Sequence, residues 1–396
     1  MIEIQRKEDC CGCSACAAVC PKHCIQMKED EEGFLYPIVD EKECIRCFLC
    51  DKTCPIKTQI SDVPKEQTAY LLQHRDEKIR AESTSGGAFT AIAKYVLDRK
   101  GVVFGAAYDE NFNVKHIYVD NYDELKKLRK SKYVQSEIGN ALPQVKDFLR
   151  HGRWVCFSGT PCQIEGLARY IGPKPNNLLL VDIMCHAVPS PLVWRKYLEY
   201  QRDYVRKASS ILFRDKSTFG YQYAAMTIIC GNKKVYSYGV ESDPMLRAFF
   251  SDICDRPSCY NCHFKKRYRC SDITIWDCFP VYKFDKRMDD DKGTTRLLAH
   301  SDLGRTVISE ISTDAIVSEF PVNDVISGVN EMLYSVKENP RRDSFFKDAA
   351  SMPGPELFNK YFPISFKIRA KREIRKMLWK TKMYTTVKRL IHLIRE

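Results

Sequence analysis

Cys10-Cys11-Gly12-Cys13-Ser14-Ala15-Cys16-Ala17-Ala18-Val19-Cys20-Pro21 and Cys44-Ile45-Arg46-Cys47-Phe48-Leu49-Cys50-Asp51-Lys52-Thr53-Cys54-Pro55 are two copies of one pattern. Each reads C-x2-C-x2-C-x3-C and is followed by proline. Three thiolates on one tight loop reach three iron corners of a cubane cluster. The proline then turns the chain so that the fourth cysteine points at the neighbouring cluster. This crossing rule assigns Cys10, Cys13, Cys16 and Cys54 to one 4Fe-4S cluster, and Cys44, Cys47, Cys50 and Cys20 to a second. A structural zinc site is the competing reading. Zinc takes paired C-x2-C elements, and a third cysteine three residues on serves no tetrahedral site. Cys11 and Cys24 are left over as non-ligands, and His23 as a solvated side chain.

The doubled run is the signature of a bacterial two-cluster ferredoxin, so residues 1–57 are expected to form such a domain. Two adjacent clusters carry electrons but do no bond chemistry, so a second cofactor or a redox partner is required. The whole chain has 396 residues, 19 cysteines and a formal net charge of +12. Hydrophobic residues at 44% and charged residues at 29% exclude wholesale disorder. No run of about eighteen apolar residues is present, so no membrane-spanning helix is expected. Met1 to Arg6 lacks the apolar core of a signal peptide, which places the protein in the cytoplasm. Thiols stay reduced there, so an odd number of cysteines argues for metal ligation over disulfides.

Beyond the cysteine-rich start, residues 58–69 read as a polar linker, and 70–345 as a mixed α/β domain. Phe89, Ile92, Ala93, Val96 and Leu97 recur at helical spacing, and Gly101 ends that helix. Val102 to Ala107, Arg153 to Phe157 and Leu178 to Val181 read as strands. Thr160 is placed to N-cap a helix whose first residue is Pro161. This strand–loop–helix–strand order implies a partly parallel sheet. Residues 211–240 read as antiparallel strands turning at Gly231-Asn232.

Ser85-Gly86-Gly87 and Ser158-Gly159-Thr160-Pro161 each precede a helix, where free N–H groups and the dipole suit a phosphate or a reduced flavin ring. Cys254 to Pro280 is a second cysteine-rich zone. There Cys254, Cys259, Cys262 and Cys270 read C-x4-C-x2-C…C, a plant-type iron–sulfur spacing. Cys156 and Cys230 lie within strands and read as core thiols.

These residues carry a resemblance. Ser83 to Phe89, Lys130 to Ser136, Gly159 to Gln163, Cys185 to Pro191, Phe213 to Lys216, Arg256 to Cys262, Asp272 to Ile275 and Lys292 to Thr294 occur in order. With the ferredoxin part they resemble the coenzyme F420 hydrogenase/dehydrogenase beta-subunit family over about residues 1–345. The resemblance implies FAD in the central domain, with Ser85, Gly86, Gly87, Lys132 and Thr160 as its binding residues. A lysine near the N1/O2 edge of a flavin would stabilise the anionic reduced ring. The resemblance also implies a third 4Fe-4S cluster, held by Cys162, Cys185, Cys259 and Cys262, as the alternative to the plant-type set. His186, beside a ligand, is the candidate general acid, or else a hydrogen-bonding neighbour of the cluster. One departure stands out. The family's D-I-T-I is followed by glycine, aspartate, an aromatic and a second glycine. Here Trp276-Asp277-Cys278-Phe279-Pro280 keeps the aspartate and lacks both glycines, which leaves the substrate open.

Residues 346–396 read as a basic amphipathic helical tail. Positions 367–396 hold eleven Lys or Arg against two Glu. Ile374, Met377, Leu378, Val387, Leu390, Ile391 and Ile394 are interspersed at roughly helical spacing. Such a helix can lie on an anionic membrane surface, on a partner, or on the protein itself. Nucleic-acid binding is not expected, since no recognised module accompanies the charge. Two functions are therefore expected as alternatives. The first is an iron–sulfur flavoprotein oxidoreductase. It would take electrons from a ferredoxin-like partner and exchange a hydride with a small molecule, a deazaflavin or another metabolite such as a surface-polysaccharide intermediate. The second is an electron-transfer subunit of a larger complex, without a substrate of its own.

Overall fold

The computed structural model describes residues 1–223, 225–381 and 383–384. At the N-terminus, the doubled cysteine pattern gives a doubled local geometry. Gly12 and Arg46 hold matching left-handed positions in the two loops, as do Ser14 and Phe48. Each loop runs into a five-residue helix, Ala15–Val19 or Leu49–Thr53, and Cys20 or Cys54 is the C-cap. The two helices pack on each other beside an antiparallel hairpin of β1 (Ile25–Glu29) and β2 (Leu35–Val39).

Five strands follow: β3 (Thr68–His74), β4 (Val102–Tyr108), β5 (Val114–Val119), β6 (Val155–Gly159) and β7 (Leu178–Ile183). Then come β8 (Ser210–Asp215), β9 (Ala225–Cys230) and β10 (Lys233–Tyr238), which form a separate antiparallel sheet. β11 (Ile273–Asp277), β12 (Thr295–Ala299) and β13 (Ala315–Phe320) complete the set. Eight strands make one mixed sheet, ordered β13-β3-β12-β11-β7-β6-β4-β5. Its centre, β4, β6, β7 and β11, is parallel, and antiparallel strands flank it.

The parallel centre follows from the apolar runs. Val102 to Phe104, Val155 to Phe157 and Leu178 to Val181 are all buried, as a strand covered on both faces requires. Val103, Cys156, Leu179 and Val181 face the helix Ala88–Leu97 on one side. Phe104, Val155, Phe157, Leu178 and Leu180 face Ala141–Arg150 and Pro161–Ile171 on the other. Thr160 does cap Pro161–Ile171, in a reciprocal capping box with Gln163. The turn at Gly231-Asn232 joins β9 to β10 as expected.

Two stretches differ from the sequence reading. The linker is a strap pinned along residues 266–269. Ile60 O accepts from Lys266, Lys65 Nζ donates to Arg269 O at 2.6 Å, and Gln67 pairs with Arg267 and His300. Its last two residues, Thr68 and Ala69, already belong to β3. The expected tail boundary at 346 falls inside a helix, Arg342–Ser351, that packs with Gly354–Tyr361 into the core through Phe345, Phe346, Leu357 and Phe358. The exposed basic part is a later helix, Phe366–Lys380, with no buried residue. Arg372 lies 3.6 Å over the Tyr238 ring and Arg375 lies 3.7 Å over Tyr223, so the helix rests on β10 and its neighbours. Val387, Leu390, Ile391 and Ile394 lie outside the described residues. Among those described, no helix is long and apolar enough to cross a membrane.

The N-terminal part is fastened to the large sheet's flank. Glu32 and Arg342 form a buried, two-pronged hydrogen bond at 2.9 and 2.6 Å, and Arg342 also reaches Asp255 O. Ser190 donates its hydroxyl to Glu32 O. Gly166, on the helix after β6, touches Cys13 so closely that a Cβ there would lie 2.8 Å from its Sγ.

Candidate redox site

The C-terminal ends of β6, β7 and β11 open into a cavity of about 1440 Å³. Ligand pockets generally measure roughly 300–1,000 Å³, so there is room for a large cofactor beside a small molecule. Such crevices form where parallel strands end.

Of the expected flavin residues, Ser85, Gly87, Lys132 and Thr160 line this cavity. Ser85 Oγ donates to Thr294 O at 2.6 Å and meets Tyr221 Oη at 3.1 Å. Gly87 is the left-handed N-cap of Ala88–Leu97. Gly86 is different. Its N–H is taken by Thr295 Oγ1 at 2.8 Å, and a Cβ would lie 2.3 Å from Leu72 O. This glycine is needed for close packing, and its N–H is not free for a ligand. Lys132 Nζ donates to the carbonyls of Arg129 and Lys127 at 2.8 and 3.0 Å and meets no carboxylate. Burial, then the charge of Lys130, brings its pKa down to about 7.

His186 also lines the cavity. Its Nε2 pairs with Asp252 Oδ1 at 2.8 Å, and its ring meets Phe249 edge-on. Asp252 holds a left-handed backbone position, φ 56°.

The cysteines fall into three groups. Around the first quartet, burial and then the charges of Cys10 and Cys54 push the Cys16 thiol up to about 12. Cys13 meets Cys11 and, beyond burial, is affected by Cys16 and Cys10. Cys16 is thus near Cys54 as well as Cys10, and Cys50 also acts on it. Cys20, Cys44, Cys47 and Cys50 line a small recess, and Cys24 shares it, 3.4 Å from Cys20 Sγ to Sγ. In the third group, burial and then repulsion from Cys185, Asp255, Cys262 and Cys162 hold the Cys259 thiol well above its ordinary range. Burial, then the neighbouring Cys162, raises Cys262. Cys254 and Cys270 are elsewhere. Apart from burial, Cys254 is affected by Asp255, Arg342 and Asp252, and Cys270 by Glu165, Asp182, Lys266 and Lys65. The fold thus brings together Cys162, Cys185, Cys259 and Cys262 and disperses the plant-type set. Among the described residues, no three His, Cys, Asp or Glu side chains gather closely enough to hold a single metal ion.

The sequence reading misses several participants. Cys11 couples to both Cys13 and Cys162, between the first and third groups. Asp277 accepts from Tyr221 Oη at 2.7 Å and pairs with Arg214, and Phe279 stacks on Tyr221 at 5.0 Å. Of these the motif marks only the aspartate, as its kept member. Trp276 and Phe279 line the cavity, and the buried Trp276 Nε1 has no hydrogen-bond partner among the described residues. The substituted glycine motif therefore presents aromatic faces and a spare donor.

Two family models of the coenzyme F420 hydrogenase/dehydrogenase beta subunit match the chain, the N-terminal one over residues 69–143 and the C-terminal one over 152–324. The chain is 31% identical over 168 residues to a coenzyme F420-dependent sulfite reductase of Methanocaldococcus jannaschii, covering 40% of this chain and 25% of that one. It is 24% identical over 204 residues to a subunit of the F(420)H(2) dehydrogenase of Methanosarcina mazei, covering 46% and 55%. Over 73 residues it is 33% identical to a 7Fe ferredoxin of Hydrogenibacillus schlegelii, covering 17% of this chain and 87% of that one. The chain thus spans a quarter and about half of the two larger relatives.

Proposed function

Since the chain belongs to the coenzyme F420 hydrogenase/dehydrogenase beta-subunit family, we propose that it is an iron–sulfur flavoprotein oxidoreductase with two ferredoxin-type 4Fe-4S clusters, a third 4Fe-4S cluster and FAD. The observation that carries this reading is the line of sulfurs. From the first quartet it runs through Cys11 to Cys162, Cys185, Cys259 and Cys262, and it ends at the wall of a large cavity. Clusters pass single electrons, and a flavin joins them into a two-electron hydride step. Ser85, Gly87, Lys132 and Thr160 would hold the flavin. His186, its Nε2–H held by Asp252, would give a proton from Nδ1 to an organic acceptor only as the imidazolium. The aromatic faces of Trp276 and Phe279 suit a planar acceptor such as a deazaflavin, while a sugar-type metabolite is the other candidate class.

A second reading, an electron-transfer subunit without its own substrate, is favoured by one observation: a relative carries the name of a dehydrogenase subunit. Anaerobic iron and flavin quantification separates the two. The enzyme reading expects about twelve irons and one FAD, and about eight irons without flavin would defeat it.

The lysine adds a pH dependence. Burial disfavours the charged form of Lys132, so above about pH 7 the ligand-free protein holds it neutral. An anionic ligand binds the charged form, so above pH 7 binding must draw a proton from solvent. FAD affinity of the flavin-free protein is therefore expected to fall by about tenfold between pH 6 and pH 8. Fluorescence titration checks this, and Lys132→Met should flatten the dependence.

A further inference from the structure

Arg256 precedes the short turn Pro257–Cys259 and is 1% exposed. Its guanidinium donates to neutral acceptors. Nε donates to Cys10 O at 2.7 Å, Nη1 to Gln135 Oε1 at 2.9 Å, and Nη2 to Leu35 O at 3.0 Å. Its plane lies 4.3 Å over the Tyr36 ring. Asp255, the preceding residue, forms no hydrogen bond with it. That carboxyl is fully buried, has no hydrogen-bond partner among the described residues, and burial pushes its pKa well up, which disfavours its charged form. A buried cation without a paired anion is costly to desolvate, and natural cores do not keep one without a reason.

The groups that couple to Arg256 are thiols and a phenol, and its own carbonyl accepts from Cys259 N–H at 2.8 Å. After burial, Cys10, Tyr36, Cys11 and Cys259 act on it, and it acts in turn on Cys162. Cys10 belongs to the first quartet, and Cys259 and Cys162 belong to the third group. The arginine thus stands between two sets of thiols that become thiolates on binding iron. The backbone has been shaped to admit it. Gly12 is left-handed, and a Cβ there would lie 2.9 Å from Arg256 Nη1 and 2.6 Å from Gln135 Nε2. Gln135 holds the arginine with its oxygen and donates to Cys11 O at 3.2 Å with its nitrogen.

We propose that Arg256 is the fixed counter-charge shared by the first and third iron–sulfur centres, and that it makes both easier to reduce. The inference rests on the three-centre reading above. An electron added to a cluster makes it more negative, and cluster potential responds to nearby charge and hydrogen bonding. A permanent cation beside two centres therefore favours the reduced form of each. It is a positioning and tuning residue and touches no substrate.

The test is a spectroscopic redox titration of the anaerobically purified full chain, with iron content measured alongside, for wild type, Arg256→Gln and Arg256→Lys. In Arg256→Gln, the first and third centres should shift to lower potential. The centre of Cys20, Cys44, Cys47 and Cys50 should not move. Arg256→Lys should return both shifted centres most of the way. Loss of iron in Arg256→Gln alone, with iron kept in Arg256→Lys, would equally support a need for the charge. Potentials that do not move, that move alike in all three centres, or iron lost alike in both variants would overturn the proposal and leave only packing. About eight irons in the wild type would overturn the three-centre reading itself, a distinct outcome.

Discussion

Cys162→Ser is expected to lower the iron content from about twelve to about eight per chain and to leave the two N-terminal clusters spectroscopically intact. Cys162 sits in the first turn of Pro161–Ile171, where the N–H groups and the dipole favour a thiolate, and Thr160 Oγ1 lies 3.1 Å from its sulfur. The thiol of the iron-free protein is held well up, by its hydrogen bond with Cys11 and by burial, so iron must displace a proton to bind. Serine keeps the size and loses the soft donor. Cys185→Ser should behave likewise. Cys254→Ser and Cys270→Ser should keep the full iron complement, because beyond burial the charges acting most strongly on them are those of carboxylates and cations. Loss of the third centre in these last two, with retention in Cys162→Ser, would reverse the assignment.

Glu32→Ala is expected to cost about 3–5 kcal/mol of stability, because it strands a buried guanidinium. The side chain of Arg342 is 6% exposed and that of Glu32 12%, so water cannot replace the lost carboxylate. Solvent denaturation should show a lower midpoint, and limited proteolysis should release the N-terminal part more readily. Replacing both partners by apolar residues, Glu32→Leu with Arg342→Met, should cost less than either single change. A loss under about 1 kcal/mol in Glu32→Ala would mean that the pair does not fasten the two parts.

The two quartets and the strand–loop–helix unit at 155–171 can be read directly, because each is encoded within a dozen or so residues. Spacing fixes which thiolates share a loop, and Thr160 with Gln163 closes a cap without help from the rest of the chain. The sheet order is not legible. β3 pairs with β12 and β13, and nothing in its seven residues names partners more than 200 positions away. Gly86 misleads for a related reason. Beside Gly87 it reads as an open cradle, but the space against it is filled by Leu72 and Thr295. The third cysteine group is legible only through resemblance, since its members are scattered from 162 to 262. Arg256 is hidden for the same cause, being one arginine among many until Cys10 and Gln135 are folded against it.

The Glu32–Arg342 bond joins residues 310 positions apart. At roughly 5–20 residues per second, a ribosome takes about 15–60 s to travel that distance. For that interval the N-terminal part has emerged with its carboxylate unmatched, and the acceptor Cys10 O waits nearly as long for Arg256. The first cysteine quartet is thus made well before Gly166 and Arg256, which fold against Cys13 and Cys10.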